Sequence, residues 1–539
     1  MFSKSQKKFR NYPLLNDKNF NETIFRKKEF NLNKTKKIKQ IDNIDNINKL
    51  LDKLCKFNLS SNQKFLKVYL SSKTPYNSIL LFHGTGVGKT CSSISIAENF
   101  KDYLLSTNKK VHVLLNPSIQ ENFKKNIFNI ERVKEGFPEK QCTKTRLLVE
   151  GNIKNTDNYE LINKRIQKII NNRYRFYGYI EFSNVVKKLK QFNDKIFRQK
   201  VKEIFSGTVM IIDEVHNIKE NNNKKDTKLL PEYLKEILSI SENMTLILLS
   251  ATPMSDKADE ILFLLNLLLI NDKRETIKDK KLFNKEGYIT TLGRKIITEK
   301  SKGYVSYLRG EHPIKFPKRL YPDVYDNKDI IKKFPEIDIN NKPITKGEQI
   351  NKLKIIGCSL DPYQLEKYSL MDMKGNDDDY GSFNINGLMA SNIVYPEVKK
   401  TSNIKYLLGD SGLGNIVKKV KRKYTFIDDS YRDFFLKKNI KTYSSKIHKI
   451  LQNIEGKQGI IFIYSRFLGS GIIPLALALE MNGYSNFNGS LIEKTKDDKK
   501  KYLLITGDNE LSKNSYSNYL KVENKNKYGE KVKIIIGSE

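Results

Sequence analysis

An α/β fold built on a parallel sheet is what this sequence predicts, and three observations predict it. Short apolar runs recur at residues 78–82, 111–115, 209–212 and 246–249, separated by charged segments of helical periodicity. That is the pattern of strands buried on both faces and joined by crossover helices. A glycine-rich turn at residues 84–90 is fed by the first run and left by an amphipathic stretch containing Ile94, Ala97 and Phe100. From Tyr443 a second alternation begins, with apolar strands expected at 459–464, 502–506 and 532–536 and a helix at 472–479.

Taken in order, residues 1–58 are rich in Lys, Asn and Phe with little periodicity, and read as a basic tail or a poorly packed cap. The cluster Lys34, Lys36, Lys37 and Lys39 reads as a solvated charge run. Folded structure is expected from Leu59, where Ser60 or Ser61 can cap a helix carrying Phe65, Leu66, Tyr69 and Leu70 on one face. Residues 59–270 form the expected first lobe, with a Lys-rich helical insertion at about 130–205. The run at 261–270, broken by Asn266, is too short to span a bilayer and reads as a buried helix. Residues 271–440 read as a bridging or inserted segment, with a Pro-punctuated stretch from His312 to Pro322 and an acidic run at Asp377, Asp378 and Asp379 that reads as a mobile loop. Residues 441–539 form an incomplete second lobe.

Composition narrows the partners. Lys and Arg number 98 against 61 acidic residues, a formal charge of +37, which favours a polyanion such as nucleic acid, although a Lys- and Asn-rich composition can also arise from base bias. No apolar N-terminal signal is present, and no membrane partner is expected. The four cysteines, Cys55, Cys91, Cys142 and Cys358, share no metal or redox spacing and are expected to be free thiols in a reducing compartment.

The chemistry sits at strand ends. In LLFHGTGVGKT, Gly84, Thr85, Gly86, Val87 and Gly88 form a turn whose backbone N–H groups can face phosphate oxygens, and the helix that follows favours an anion at its N-terminus. Lys89 would reach the β and γ phosphates, and Thr90 would place its hydroxyl on Mg2+. The strict pattern asks for Gly where His83 stands. Downstream, IIDEVHNI puts Asp213 and Glu214 at the end of another strand, at the sheet edge where ligands bind. Asp213 can hold Mg2+ through its water shell, Glu214 can orient and deprotonate an attacking water, and His216 can sense the γ-phosphate region. LILLSATPM ends a third strand, where Ser250, Ala251 and Thr252 can couple to the acidic motif. The amide of Gln63 can both give and accept hydrogen bonds at an adenine edge. A P-loop NTPase that binds ATP follows from this set and its order.

These residues resemble superfamily 2 helicases and translocases of the DExH type: Gln63, GTGVGKT, the NPS of residues 116–118, DEVH, SAT, and the YSR of residues 464–466. The resemblance runs from about residue 59 to the end. Wording is closer still to the proteins of large DNA viruses, the poxvirus-type nucleoside triphosphatase I and early transcription factor small subunit, in SSKTPYNSILLFHGTGVGKT, YVSYLRGEHPIKFPKRLYP and YSRFLGSGI. It implies two RecA-like lobes, the second partial here, and a DNA- or RNA-dependent ATPase acting in viral transcription or genome handling, in the virion or host cytoplasm. It also implies that Pro117 and Ser118 lie along the nucleic-acid backbone, and that Arg466 lies on the second lobe and meets the same partner. In that family an arginine beyond a strand like KIIIG reaches the γ-phosphate, and the sequence ends at Glu539 before it. Such a group is worth about 10³ to 10⁵ in rate. The expectation is a chain that binds ATP but alone hydrolyses it poorly, with another polypeptide or a viral transcription complex as partner. The alternative is a non-catalytic or split nucleic-acid-binding subunit.

Overall fold

The structure is a computed structural model. It describes residues 11–34, 59–154, 158–218, 229–254, 257–278, 282–284, 287–308, 329–331, 333, 335–337, 343–344, 355–370, 385–397, 403–492, 500–508, 510–520, 522 and 525–538. The chain divides into two compact units, Met1–Lys318 and Arg319–Glu539.

The first unit is organised by a six-stranded sheet: β1 (Ser78–His83), β2 (Val111–Leu114), β3 (Tyr174–Tyr177), β4 (Val209–Ile212), β5 (Thr245–Ser250) and β6 (Val305–Leu308), in the order β3-β2-β4-β5-β1-β6. Every pairing is parallel. Alternate residues of each central strand enter opposite cores. Ile79, Leu81, Val111, Val113, Ile211 and Ile247 face one layer, and Leu80, Leu114, Ile212, Leu246 and Leu248 face the other. This is why the sequence shows continuous apolar runs rather than alternation. The run at 261–270 is the helix Glu260–Asn271, with Leu264, Leu265, Leu267, Leu268 and Leu269 buried.

Four expectations are corrected. Folded structure begins before Leu59: Phe20, Ile24 and Phe30 are buried in the first core, and Tyr76 donates to the carbonyl of Pro13 at 3.0 Å. A stack of Tyr and Phe rings (Tyr12, Phe30, Phe65, Tyr69, Tyr76) fixes this cap, so aromatic content does what periodicity did not. The stretch at 130–205 is not all insertion, because β3 forms one edge of the sheet, and Phe182, Val186, Phe197, Val201 and Phe205 complete its second core. Its signal was hidden because an edge strand tolerates exposed Arg175. The first unit passes residue 270, since β6 pairs with β1 although Val305 and Tyr307 are exposed. Finally, Cys91 and Cys142 form a disulfide with a Cα–Cα distance of 5.1 Å, joining the helix after the glycine turn to the helical stretch. A separation of 51 residues in sequence carries no sign of that proximity. Cys358 is a free, half-buried thiol; Cys55 lies outside the described residues.

The second unit holds a parallel sheet of β9 (Ile461–Tyr464), β10 (Tyr484–Asn486), β11 (Lys500–Ile505) and β12 (Ile534–Gly537), ordered β10-β11-β12-β9. An antiparallel hairpin, β7 (Val417–Val420) with β8 (Lys423–Phe426), stands beside it in sequence. The helices Ser445–Ile454 and Ile473–Met481 cover one face through Ile447, Leu451, Leu475 and Leu479. The segment His312–Pro322, the acidic run at Asp377–Asp379 and the basic positions Lys36, Lys37 and Lys39 lie outside the described residues. Among the described residues, no helix is long and apolar enough to cross a membrane.

Candidate nucleotide site

Strand β5 lies between β1 and β4, and register brings their carboxyl ends level. Phe82 pairs with Ser250, and Ile212 with Leu248. His83, Asp213 and Ser250 therefore leave the sheet at the same edge. Beyond β1 the chain turns through Gly86 (φ +76) and Gly88 (φ +84), left-handed conformations that only glycine adopts freely. Gly88 caps the helix Lys89–Ala97. A Cβ on Gly88 would meet Gln63 Nε2 at 2.6 Å.

Gln63 is held within the protein. Ser60 caps the helix Ser61–Tyr69 through a reciprocal capping box with Gln63, whose Oε1 accepts from the Ser60 N–H at 2.9 Å. Its Nε2 donates to the Gly88 carbonyl at 3.2 Å. The neighbouring Asn62 reaches the other end of the turn, with Nδ2 3.5 Å from His83 Nε2. His83 is buried, and the same Nε2 lies 2.9 Å from Ser306 Oγ on β6. Burial, with the nearby Lys89 charge, lowers its pKa to about 4, so the imidazole is neutral. Gly84 N–H donates to the Leu308 carbonyl at 2.9 Å. Position 83 departs from the glycine pattern because a side chain there ties the turn to β6. Lys89 Nζ donates to the carbonyls of His83 at 3.1 Å and Gly84 at 3.4 Å.

At the end of β4, Asp213 is 8% exposed. Burial first, then the adjacent Glu214 charge, raises its pKa to about 6, against the opposing pull of a backbone N–H and Lys89. Its Oδ1 accepts from the Glu214 N–H at 3.0 Å. Glu214 has φ +49 and ψ +48, a left-handed pose that costs a non-glycine residue about 1–2 kcal/mol. His216 Nδ1 lies 3.0 Å from Ser250 Oγ and 3.3 Å from Glu214 Oε2, within reach of both. Ser250, fully buried, also accepts the Thr252 N–H at 3.0 Å. The acidic turn and the end of β5 are thus one hydrogen-bonded unit.

Of the residues singled out in the sequence, Gln63, Gly84, Thr85, Gly86, Val87, Gly88, Lys89, Thr90, Asp213, Glu214, His216, Ser250, Ala251 and Thr252 belong to this edge or the helix packed on it. Pro117 and Ser118 begin the helix Pro117–Ile127 at the end of β2, exposed, with Asn116 Oδ1 accepting from Ser118 N–H at 3.1 Å. Arg466 is exposed after β9 in the other unit. Sequence reasoning missed Asn62, Tyr179 and Ser306; the only sign of Tyr179 was a dense aromatic run, RYRFYGYIEF.

Among the described residues no three His, Cys, Asp or Glu side chains cluster to cage a metal. The buried Asp213 carboxylate suits Mg2+, which keeps waters and takes phosphate oxygens.

A parallel sheet with one strand inserted between a glycine-loop strand and an acidic strand defines a P-loop nucleoside triphosphatase lobe. Comparison with known proteins carries this further. Residues 32–255 match the family profile "Type III restriction enzyme, res subunit". A protein of Acanthamoeba polyphaga mimivirus named as an ATP-dependent RNA helicase is 28% identical over 494 residues, covering 90% of this chain and 73% of its own length. A protein of Invertebrate iridescent virus 3 named as a helicase is 26% identical over 505 residues, covering 89% of this chain and 43% of its own. The early transcription factor large subunit homolog of African swine fever virus is 21% identical over 531 residues, covering 81% of this chain and 46% of its own. This chain therefore spans under half the length of two of these three relatives. Among solved structures, the Sulfolobus solfataricus SWI2/SNF2 ATPase core overlays 88% of this chain and 76% of its own at 15% identity and a TM-score of 0.30, a loose match. The chain is thus similar over most of its length to proteins of these viruses that are named as helicases. The transcription-factor likeness found is to the large subunit, where the motif wording suggested the small one.

Proposed function

We propose that this chain is a nucleic-acid-dependent ATPase of helicase or translocase type, coupling ATP hydrolysis to movement on, or remodelling of, DNA or RNA in viral transcription. The observation that carries the proposal is the meeting of Lys89, whose ammonium rests on the His83 carbonyl at the end of β1, with Asp213 and Ser250 at the ends of β4 and β5. In this reading the Gly84–Gly88 turn and Lys89 hold the phosphates of ATP, and Lys89 leaves its resting carbonyls to do so. Thr90 and Asp213 would hold Mg2+, which would neutralise phosphate charge. Glu214 orients and deprotonates the attacking water, and His216 with Ser250, Ala251 and Thr252 reports the state of the γ-phosphate. Gln63 keeps one amide N–H and one oxygen lone pair beyond its bonds to Gly88 and Ser60, and would turn these to the adenine. Pro117, Ser118 and Arg466 contact the nucleic acid, and the net charge of +37 favours that partner. The names of the relatives support ATP use on RNA and a place in early viral transcription.

The test is ATP turnover by the chain with and without single-stranded DNA or RNA, alongside titration of a fluorescent ATP analogue. Lys89→Ala is expected to lose analogue binding at least tenfold, and Glu214→Gln to keep binding while losing stimulated turnover at least a hundredfold, since removing a catalytic base costs about 10² to 10⁴. Unchanged turnover in either variant refutes the assignment. Salt-sensitive nucleic-acid binding that ignores ATP analogues, with no turnover, points to a non-catalytic subunit instead.

A further inference from the structure

Between β3 and the helix Tyr179–Leu189 lie two residues that touch two different sites. Gly178 is the helix cap, its N–H donating to Glu181 Oε2 at 3.2 Å. Its φ of −73° places no demand for glycine. The demand comes from a neighbour: a Cβ at Gly178 would lie 3.1 Å from Pro117 Cγ and 3.6 Å from Pro117 Cδ. The β3 turn is therefore seated against Pro117, in the middle of the exposed Asn116–Ser118 turn, and Leu115 N–H donating to the Tyr177 carbonyl at 3.1 Å locks the same two strand ends.

One residue later, Tyr179 reaches the opposite way. Its hydroxyl donates to the Asp213 carbonyl at 2.7 Å and lies 3.3 Å from the Glu214 carbonyl. Burial and the neighbouring Asp213 charge push this phenol well above its ordinary pKa, so it remains a donor. These bonds fall on the two residues around the left-handed turn at Glu214 (φ +49), which has an ordinary right-handed alternative if they are lost. The Tyr179 bonds thus hold the one pose seen at Glu214, and a single dipeptide joins that turn to Pro117.

We infer that Gly178–Tyr179 is a coupling element: Gly178 senses the position of the Asn116–Ser118 turn, and Tyr179, as a positioning residue, sets the backbone pose of Glu214. A nucleic-acid strand resting on Pro117 and Ser118 thereby controls whether Glu214 addresses the phosphate site. The inference rests on the proposed ATPase reading for its functional meaning, while its mechanical part stands on contacts within one unit. By linkage, the effect runs both ways, from nucleotide to nucleic acid as well.

The test uses the full chain with Tyr179→Phe and Gly178→Ala. Without any ligand, hydrogen exchange in the peptide spanning residues 211–218 is expected to quicken about fivefold or more in Tyr179→Phe. With ATP, stimulation of turnover by single-stranded DNA or RNA should fall about tenfold in both variants at unchanged KM for ATP and unchanged melting temperature. Unaltered exchange at 211–218 in both variants overturns the inference. So does a parallel loss of KM and melting temperature, which marks mere packing. A wild-type chain that fails to hydrolyse ATP sinks the ATPase reading alone, and exchange at 211–218 then decides this one.

Discussion

Replacing Asp213 by Asn should make the resting protein more stable while destroying its proposed chemistry. Asp213 is 8% exposed, and burial together with Glu214 lifts its pKa from 3.8 to about 6. A shift of about two units corresponds to roughly 3 kcal/mol of preference for the neutral form. The sign follows from proton counts. Between about pH 4 and pH 6 the folded chain keeps the Asp213 proton while the unfolded chain has released it, so folding stability falls as pH rises through that window. Below it the penalty is absent, and above it the penalty is complete. Asn carries no charge, and its Oδ1 can still accept the Glu214 N–H, so Asp213→Asn differs from wild type mainly by this penalty. The stability gain should be near zero at about pH 4 and approach 2–3 kcal/mol at about pH 8, an upper bound since water penetration softens burial costs. Urea titrations read by hydrogen exchange in β4 peptides isolate the first unit from the second. A gain that does not change with pH, or a variant less stable than wild type at the higher pH, refutes the reasoning.

Two further outcomes follow from the same edge and its supports. Gly88→Ala should weaken binding of an ATP analogue at least tenfold, because φ is +84 and the new methyl meets Gln63 Nε2 at 2.6 Å; Gly136→Ala, with φ +80 but nothing within 4 Å, should leave binding unchanged, and equal effects would discount the close approach. Cys142→Ser, or reductant added to wild type, should lower first-unit stability by about 4 kcal/mol on the loop-closure estimate for a 51-residue separation, and an unfolding midpoint indifferent to reductant would exclude the bond.

How far the sequence disclosed the structure depended on what each strand buries. β1, β4 and β5 are covered on both faces, so their apolar runs announced them within two residues. β3 and β6 are the two edges of the same sheet; with Arg175, Val305 and Tyr307 exposed, they carried no such run, and the first unit was drawn too short for that reason. The phosphate turn was legible because left-handed backbone requires glycine, and the acidic turn because its Asp-Glu pair ends a strand that follows that turn in the same sheet. His83 was legible only as an exception. Its use depends on Ser306, more than two hundred residues away in sequence, and no local pattern reports such a distance. Nor does a local pattern report the pairing of Cys91 with Cys142, 51 residues apart, or of Tyr179 with Asp213, 34 apart.

The departures from local preference gather at one edge of one sheet. Asp213 is a carboxylate where burial opposes charge, Glu214 holds a conformation that glycine would adopt more cheaply, and His83 leaves Nδ1 without a hydrogen-bond partner among the described residues. None of these helps the chain fold, and each is held in place by groups from elsewhere: Tyr179 on the two carbonyls, Ser250 and His216 at the acidic turn, Ser306 and Asn62 on the histidine. Strain that is opposed by so many independent contacts is maintained rather than tolerated, and it is concentrated where a nucleotide would be bound and turned over. If the site served only as a passive scaffold, Glu214 could be replaced by Gly with a gain in stability and no other effect. The expectation here is the same gain in stability paired with loss of the turnover proposed to depend on the Glu214 carboxylate.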